Sequence, residues 1–269
     1  MKLGFIGMGN MAKAIIKGLA QTDALKHTEI YVHSGHLENY ATFAKQYGLK
    51  ICQSNLDVAK QADFLFLAIK PLVLKEVLLE LKETLQVNKP VIISMVTGVS
   101  LAEISQTLED EHLPLLRIMP NVNVEINEAM TAVAFNQALS QVDYQTCVTL
   151  LEKLGQVIEL PEKDFSTFVA LAGSSPAYVY FYIDAMARAG VKYGLSKQQA
   201  TKISAQAVLG SAKKVLLSDK TPMELVDDVC SPGGTTIAGL LAMEEAGLMT
   251  AVVKGIDATI ARDRTINLK

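Results

Sequence analysis

The chain has 269 residues, is 50% apolar and 20% charged, and carries a formal net charge of -3 without any Lys/Arg run. Binding along a phosphate backbone normally uses a basic patch, so nucleic acid is not an expected partner. The longest apolar runs, ADFLFLAI and PVIISMV, have strand length and fall short of a bilayer span, so no membrane association is expected.

The opening KLGFIG reads as a strand and lacks the basic and apolar regions of a signal peptide, which points to a cytoplasmic protein. It runs straight into Gly7-Met8-Gly9-Asn10-Met11-Ala12, a G-x-G-x-x-A fingerprint. Gly7 would allow a tight turn, Gly9 the close approach of a pyrophosphate, and Ala12 close packing of helix on sheet. Glycines also end strands for structural reasons alone. Here a strand precedes, a helix follows and a βαβ pattern lies beyond, which favours a dinucleotide site.

The second strand, EIYVHS, ends in His33-Ser34-Gly35-His36, and no acid appears until Glu38. An acid at that strand end would bind the ribose hydroxyls of NAD and repel a 2′-phosphate, so its absence favours NADP. Ser34, backbone N–H groups and His36 are the candidate phosphate holders, with surface residence the plain alternative for His36. DFLFLAI ends in Lys70-Pro71, PVIISMV ends in Ser94–Gly98, and a third strand end is RIMPN, Arg117–Asn121. Ligands of open α/β sheets gather outside such strand ends, which places Lys70 towards the cofactor. PLVLKEVLLELKETL has apolar residues at spacings of three and four, an amphipathic helix. With TAVAF and QVIEL, the alternation of helices and strands apolar on both faces predicts a mostly parallel sheet, covered on both sides, up to about Leu160.

Beyond Leu160 the strand patterns stop. Ser175 and Pro176 read as a helix N-cap and first position, and Ser196–Gln199 and Thr221–Glu224 read as capping boxes. PAYVYFYIDAMARAG is apolar on nearly every face apart from an Asp184–Arg188 pair. A helix of that kind must be buried all round, so a subunit interface is expected, with burial inside one subunit as the alternative. The three cysteines, Cys52, Cys147 and Cys230, are scattered and odd in number, which fits reduced thiols. The four histidines show no ligand spacing, so no metal site is expected.

SPGGTT, Ser231–Thr236, interrupts this helical half. Its glycines expose backbone N–H groups, and its threonines open the next helix. That N-terminus suits a carboxylate, while a Thr cap on an inter-helix loop explains the pattern equally well.

In order and spacing, FIGMGNMAKAI, AIKP, LLRIMPN, LAGSSPAY and DDVCSPGGTTIAGLLAMEE resemble the pyrroline-5-carboxylate reductases, and the resemblance runs over essentially the whole chain. It implies an α/β N-terminal Rossmann-like domain over residues 1–160 and an all-α C-terminal domain over residues 161–269. The latter would bind substrate and intertwine with a partner subunit as a homodimer; larger rings of dimers occur in the family. The implied reaction is hydride transfer from NADPH, with NADH also accepted, to the ring C=N of 1-pyrroline-5-carboxylate, giving L-proline as the last step of proline synthesis. By motif, Ile6, Gly7, Met8, Gly9, Asn10, Met11, Ser34, Asn55, Ala68, Ile69, Lys70, Pro71, Ser94, Met95, Val96 and Thr97 would line the cofactor. Ser231, Gly233, Gly234, Thr235 and Thr236 would hold the substrate, with the Thr236 hydroxyl on the ring nitrogen as the catalytic contact. Glu162, Asp228 and Asn121 would lie near the site.

The chain departs from the family pattern in places. Val96-Thr97 stands where two alanines are common, Asn123 where proline is, and Glu125–Glu128 lacks the usual glycines; HSGH has no arginine. Two rival readings share the architecture. One is an NADP-linked hydroxy-acid dehydrogenase, which would use a lysine or histidine in the helical half, where Lys192, Lys197 and Lys202 remain but no histidine follows His112, or another imine reductase of the same architecture. A non-catalytic NADP sensor would have no use for SPGGTT.

Overall fold

The structure, a computed structural model, describes residues 1–266, so residues 267–269 of the second expected domain lie outside the described residues. Its strands are β1 (Lys2–Ile6), β2 (Glu29–His33), β3 (Lys50–Ile51), β4 (Phe64–Leu67), β5 (Val91–Ser94), β6 (Leu115–Met119), β7 (Ala129–Phe135) and β8 (Gly155–Glu159). They form one sheet in the order β3-β2-β1-β4-β5-β6-β7-β8. All pairs are parallel except β6 with β7. The mostly parallel sheet is as expected. Two details are not: the two-residue edge strand β3, and the antiparallel entry of β7. A parallel β7 would need a crossover of a dozen residues or more. The short link 120–128 holds only a 3-10 turn over Val122–Ile126.

Helices α1 (Asn10–Ala20), α2 (Ala41–Gln46), α3 (Asn55–Gln61), α4 (Pro71–Asn88), α5 (Leu101–Leu108) and α6 (Gln141–Glu152) cover the sheet. Alternation along the strands divides the core between its two faces. Phe64 and Phe66 join Phe5, Ile15 and Ile16 of the cluster that includes α1. Leu65 and Leu67 join Leu74, Leu78, Leu81 and Leu85 of α4. Those four leucines recur at spacings of four and three, so one stripe of α4 goes under. Each fully buried leucine is worth about 2 kcal/mol.

Contacts divide the chain into two compact units: Met1–Gly173 together with the stretch from Thr259 on, and Ser174–Ala258. The first also holds α7 (Phe165–Phe168) and a π turn over Val169–Gly173. The second holds α8 (Ser175–Lys192), α9 (Lys197–Leu217), α10 (Pro222–Val229), α11 (Thr235–Glu245) and the start of α12 (Leu248–Ile266). The capping boxes at Ser196 and Thr221 form as expected. The start of α8 is corrected by one residue: Ser174 is the N-cap and Ser175 is already helical, with no side-chain cap bond.

Asp184 pairs with Arg188 at 2.6 Å and also with Lys197. Otherwise α8 keeps its apolar side chains outside: only Pro176 and Ala187 are buried, while Tyr180 is 58% and Phe181 78% exposed. Burial within one subunit is therefore not how this helix is satisfied. Among the described residues no single helix is long and apolar enough to cross a membrane; α11 and α12 pass only as a pair bent by 49°.

Candidate active site

Chain order reverses between β1 and β4, since β2 and β3 lie on one side of β1 and β4 to β6 on the other. The crevice outside those two strand ends is the ligand position of open α/β sheets. Gly7 N donates to the His33 carbonyl at 2.8 Å, and Ala68 N donates to the Ile6 carbonyl at 2.9 Å. Gly7 has φ +94, and a β-carbon there would lie 2.4 Å from the Ala68 carbonyl oxygen. Only glycine fits that corner.

Gly9 caps α1 without a side-chain bond, and the first turn carries no acid. A β-carbon on Gly9 would meet nothing within 4 Å. Open space before an uncapped helix N-terminus fits a dinucleotide pyrophosphate. Ala12 is fully buried, as close helix–sheet packing requires. Ile6 and Met8 are buried in the core, so they offer a ligand backbone only, whereas Asn10 is exposed and Met11 half-buried.

At the end of β2, His33 Nδ1 lies 2.8 Å from Asn55 Oδ1, and Asn55 Nδ2 donates to Glu80 Oε2 at 2.9 Å. Asn55 opens α3, whose cap is Ser54. Ser34 is half-buried, its backbone N donating to the Tyr40 hydroxyl at 3.4 Å. His36 and Glu38 are exposed and 3.4 Å apart. Glu80 was not visible as a site residue in the sequence, being remote from every motif.

Ala68 and Ile69 are half-buried, and exposed Lys70 caps α4 just before Pro71. Beyond β5, Ser94 Oγ accepts from Val96 N at 3.3 Å, both residues being buried, while Met95 and Thr97 are half-buried. Next to this turn the Glu162 carboxylate accepts from Leu101 N at 3.1 and 3.3 Å and pairs with Arg117 Nη1 at 2.7 Å. Arg117 is 7% exposed, with its guanidinium 4.7 Å from the Phe165 ring centre. Thr97, Arg117, Glu162 and Asp263 share a cleft of about 370 Å³. Glu162 therefore ties β6 to the start of α5. The sequence placed Arg117 in the RIMPN strand end but gave it no role of its own.

Asn121 is buried; its amide donates to the Ala172 carbonyl at 3.0 Å and its Oδ1 accepts from Asn123 N at 3.2 Å. A proline at 123 would lack that N–H, so the departure there has a local use. Asn127, with φ +60, takes the left-handed position that a glycine would otherwise fill.

In the second unit Cys230 ends α10, and Gly233 turns the chain with φ +66. Gly234 N donates to the Ser231 carbonyl at 3.0 Å, and a β-carbon there would lie 2.5 Å from Ser231 Oγ. Gly234, not a threonine, is the N-cap of α11, and no side chain caps it. The Thr-cap reading is thus corrected: Thr235 and Thr236 are the first helical residues and stand exposed together with Ser231. Asp228 is held by Lys220 at 2.8 and 2.6 Å.

A family model described as pyrroline-5-carboxylate reductase dimerisation matches residues 162–266, and one described as NADP oxidoreductase, coenzyme F420-dependent, matches residues 2–98. The pyrroline-5-carboxylate reductase of Escherichia coli (strain K12) is 35% identical over 266 residues, covering 99% of this chain and 98% of its own. This chain belongs to the pyrroline-5-carboxylate reductase family. The solved family structure from Streptococcus pyogenes is 43% identical with a TM-score of 0.87, covering 98% of both chains. That from Plasmodium falciparum, with NADP bound, is 26% identical with a TM-score of 0.87, covering 99% of this chain and 98% of its own.

The expected pairing of a Rossmann-like domain with an all-α dimerisation domain holds, and the exposed apolar residues of α8 lie within the stretch matched by the dimerisation model. The end-to-end family match also favours the reductase over the hydroxy-acid dehydrogenase and the sensor. Of the rival lysines, Lys197 is engaged with Asp184 and Lys192 lies over the Tyr193 ring.

Proposed function

We propose that this chain reduces the ring C=N of 1-pyrroline-5-carboxylate to L-proline, using NADPH in preference to NADH, as a homodimer in the cytoplasm. The observation that carries this reading is that the chain matches the Escherichia coli reductase end to end while keeping both an open dinucleotide turn and an uncapped SPGGTT corner.

Bound NADPH supplies the hydride. The backbone N–H groups of Gly7 to Met11 and the α1 N-terminus hold the pyrophosphate. Ser34 and Asn55 meet the adenosine ribose, and Ala68–Pro71 and Ser94–Thr97 lie along the rest of the cofactor. In the second unit, the backbone of Ser231, Gly233 and Gly234 and the α11 N-terminus hold the substrate carboxylate. The protonated cyclic imine is already an electrophile, so the chain contributes mainly placement. Thr236 Oγ1 hydrogen-bonds the ring nitrogen as that nitrogen loses its positive charge, and Thr235 supports the same corner. Lys70 positions cofactor, since a cation beside the iminium would oppose its protonated form. Glu162 and Asn121 act from outside, by holding the chain around α5 and the turn after β6.

The test is loss of NADPH absorbance with 1-pyrroline-5-carboxylate, repeated with NADH. Oxidation dependent on the imine supports the reading. Protein that binds NADPH but never oxidises it with this substrate overturns the substrate assignment and leaves the dinucleotide site.

A further inference from the structure

Of the two histidines at the end of β2, His36 faces a carboxylate directly and His33 reaches one through an amide. His36 Nδ1 lies 3.4 Å from Glu38 Oε1. His33 Nδ1 lies 2.8 Å from Asn55 Oδ1, and the same amide donates from Nδ2 to Glu80 Oε2 at 2.9 Å. Lys13 of α1 also reaches this loop, its ammonium donating to the Asn39 carbonyl at 2.7 Å. This strand end is where a 2′-phosphate would fall, so the inference rests on the dinucleotide reading above.

We propose that Glu80 and Glu38 are specificity-determining residues that weaken the hold on a 2′-phosphate and so keep NADH competitive with NADPH. Glu80 takes one of the two Asn55 amide N–H donors that could serve a phosphate oxygen, and it brings a negative charge to the same place. Glu38 cancels the charge of His36 when that ring is protonated. A neutral 2′-hydroxyl feels little of this, because it can itself donate to a carboxylate, whereas a phosphate dianion meets repulsion from both. The absence of an acid at the strand end itself would alone favour NADP. The two carboxylates come in from neighbouring segments, Glu80 from α4 and Glu38 from the 3-10 turn Leu37–Asn39.

The experiment is calorimetric titration of the intact protein with 2′,5′-ADP and, separately, 5′-ADP, for wild type, E80Q, E80A, E38Q and E38Q/E80Q. Both glutamates are exposed, so the variants are expected to fold. The expected result is 2′,5′-ADP binding tightened on the order of three- to tenfold per carboxylate, less at high salt, with 5′-ADP changed by less than about twofold. Unchanged 2′,5′-ADP affinity in the double variant, or equal changes for both ligands, overturns the proposal while leaving the dinucleotide site intact. Wild type that binds neither ligand overturns the dinucleotide reading, and the proposal with it.

Discussion

Gly7 and Ala68 approach so closely that a β-carbon on the glycine would sit 2.4 Å from the alanine carbonyl oxygen. Two strand ends are thereby locked side by side, and the turn that receives the pyrophosphate inherits their rigidity. Gly7→Ala must move that carbonyl or abandon φ +94, at a cost of about 2 kcal/mol or more. Urea unfolding should show the loss, and NADPH titration a weakening of at least tenfold. Wild-type stability with wild-type binding would contradict the locked corner.

Thr236 stands exposed in the first turn of α11 and does not cap it. Thr236→Ala should leave the melting temperature nearly unchanged and lower kcat about 100-fold, with Thr236→Ser recovering most of it. These figures correspond to about 3 kcal/mol at the transition state. Equal turnover in all three proteins removes Thr236 from the reaction.

The Arg117–Glu162 pair should behave as a structural bond. Glu162→Gln leaves a largely buried guanidinium without its counter-charge, costing about 2–4 kcal/mol. Arg117→Met combined with Glu162→Gln should recover part of the loss, because the uncompensated charge is gone. The comparison is made by urea midpoints, and a double variant less stable than the sum of the singles would argue against this account.

Phe181 is 78% exposed on α8, so its replacement leaves the folded subunit little disturbed. Phe181→Glu should instead weaken subunit association by at least about 2 kcal/mol. Sedimentation at micromolar concentration should show monomer where wild type shows dimer; a variant that stays dimeric would place the interface elsewhere.

Tyr144 donates to Glu159 at 2.8 Å, and its pKa is pushed up to about 12, first by burial, then by that hydrogen bond and the carboxylate charge. The folded state holds the proton more tightly than the unfolded chain, whose tyrosine titrates near pH 10. This contribution is therefore complete below pH about 10 and is lost as pH rises through about 12. Tyr144→Phe should flatten that limb of the stability profile, read from unfolding midpoints; an unchanged slope would reject it.

What the sequence reveals here depends on how local the cause is. G-x-G-x-x-A was legible because the steric demand on Gly7 acts within one turn, and the capping boxes at Ser196 and Thr221 were legible because cap and partner are three residues apart. β3 has two residues, too few for any period to show. The direction of β7 was hidden because an apolar strand reads alike in either sense; only the turn at Val122–Ile126 decides it. TT at the SPGGTT corner resembled a cap, but Gly234 takes that role, at a position where a β-carbon would lie 2.5 Å from Ser231 Oγ. Arg117 and Glu162 meet across the fold, as do His33, Asn55 and Glu80, and no local pattern announces either group.

The polypeptide passes from one compact unit to the other twice, at Gly173–Ser174 and again at Ala258–Thr259. The helical unit is therefore an insertion tethered at both ends, not an appendage hung from one. A fragment ending at Gly173 is an incomplete unit, for it lacks the last turns of α12 and with them Asp263, which lines the same cleft as Arg117. Conversely, a single nick between α9 and α10 would leave two pieces that each own part of the sheet-bearing unit.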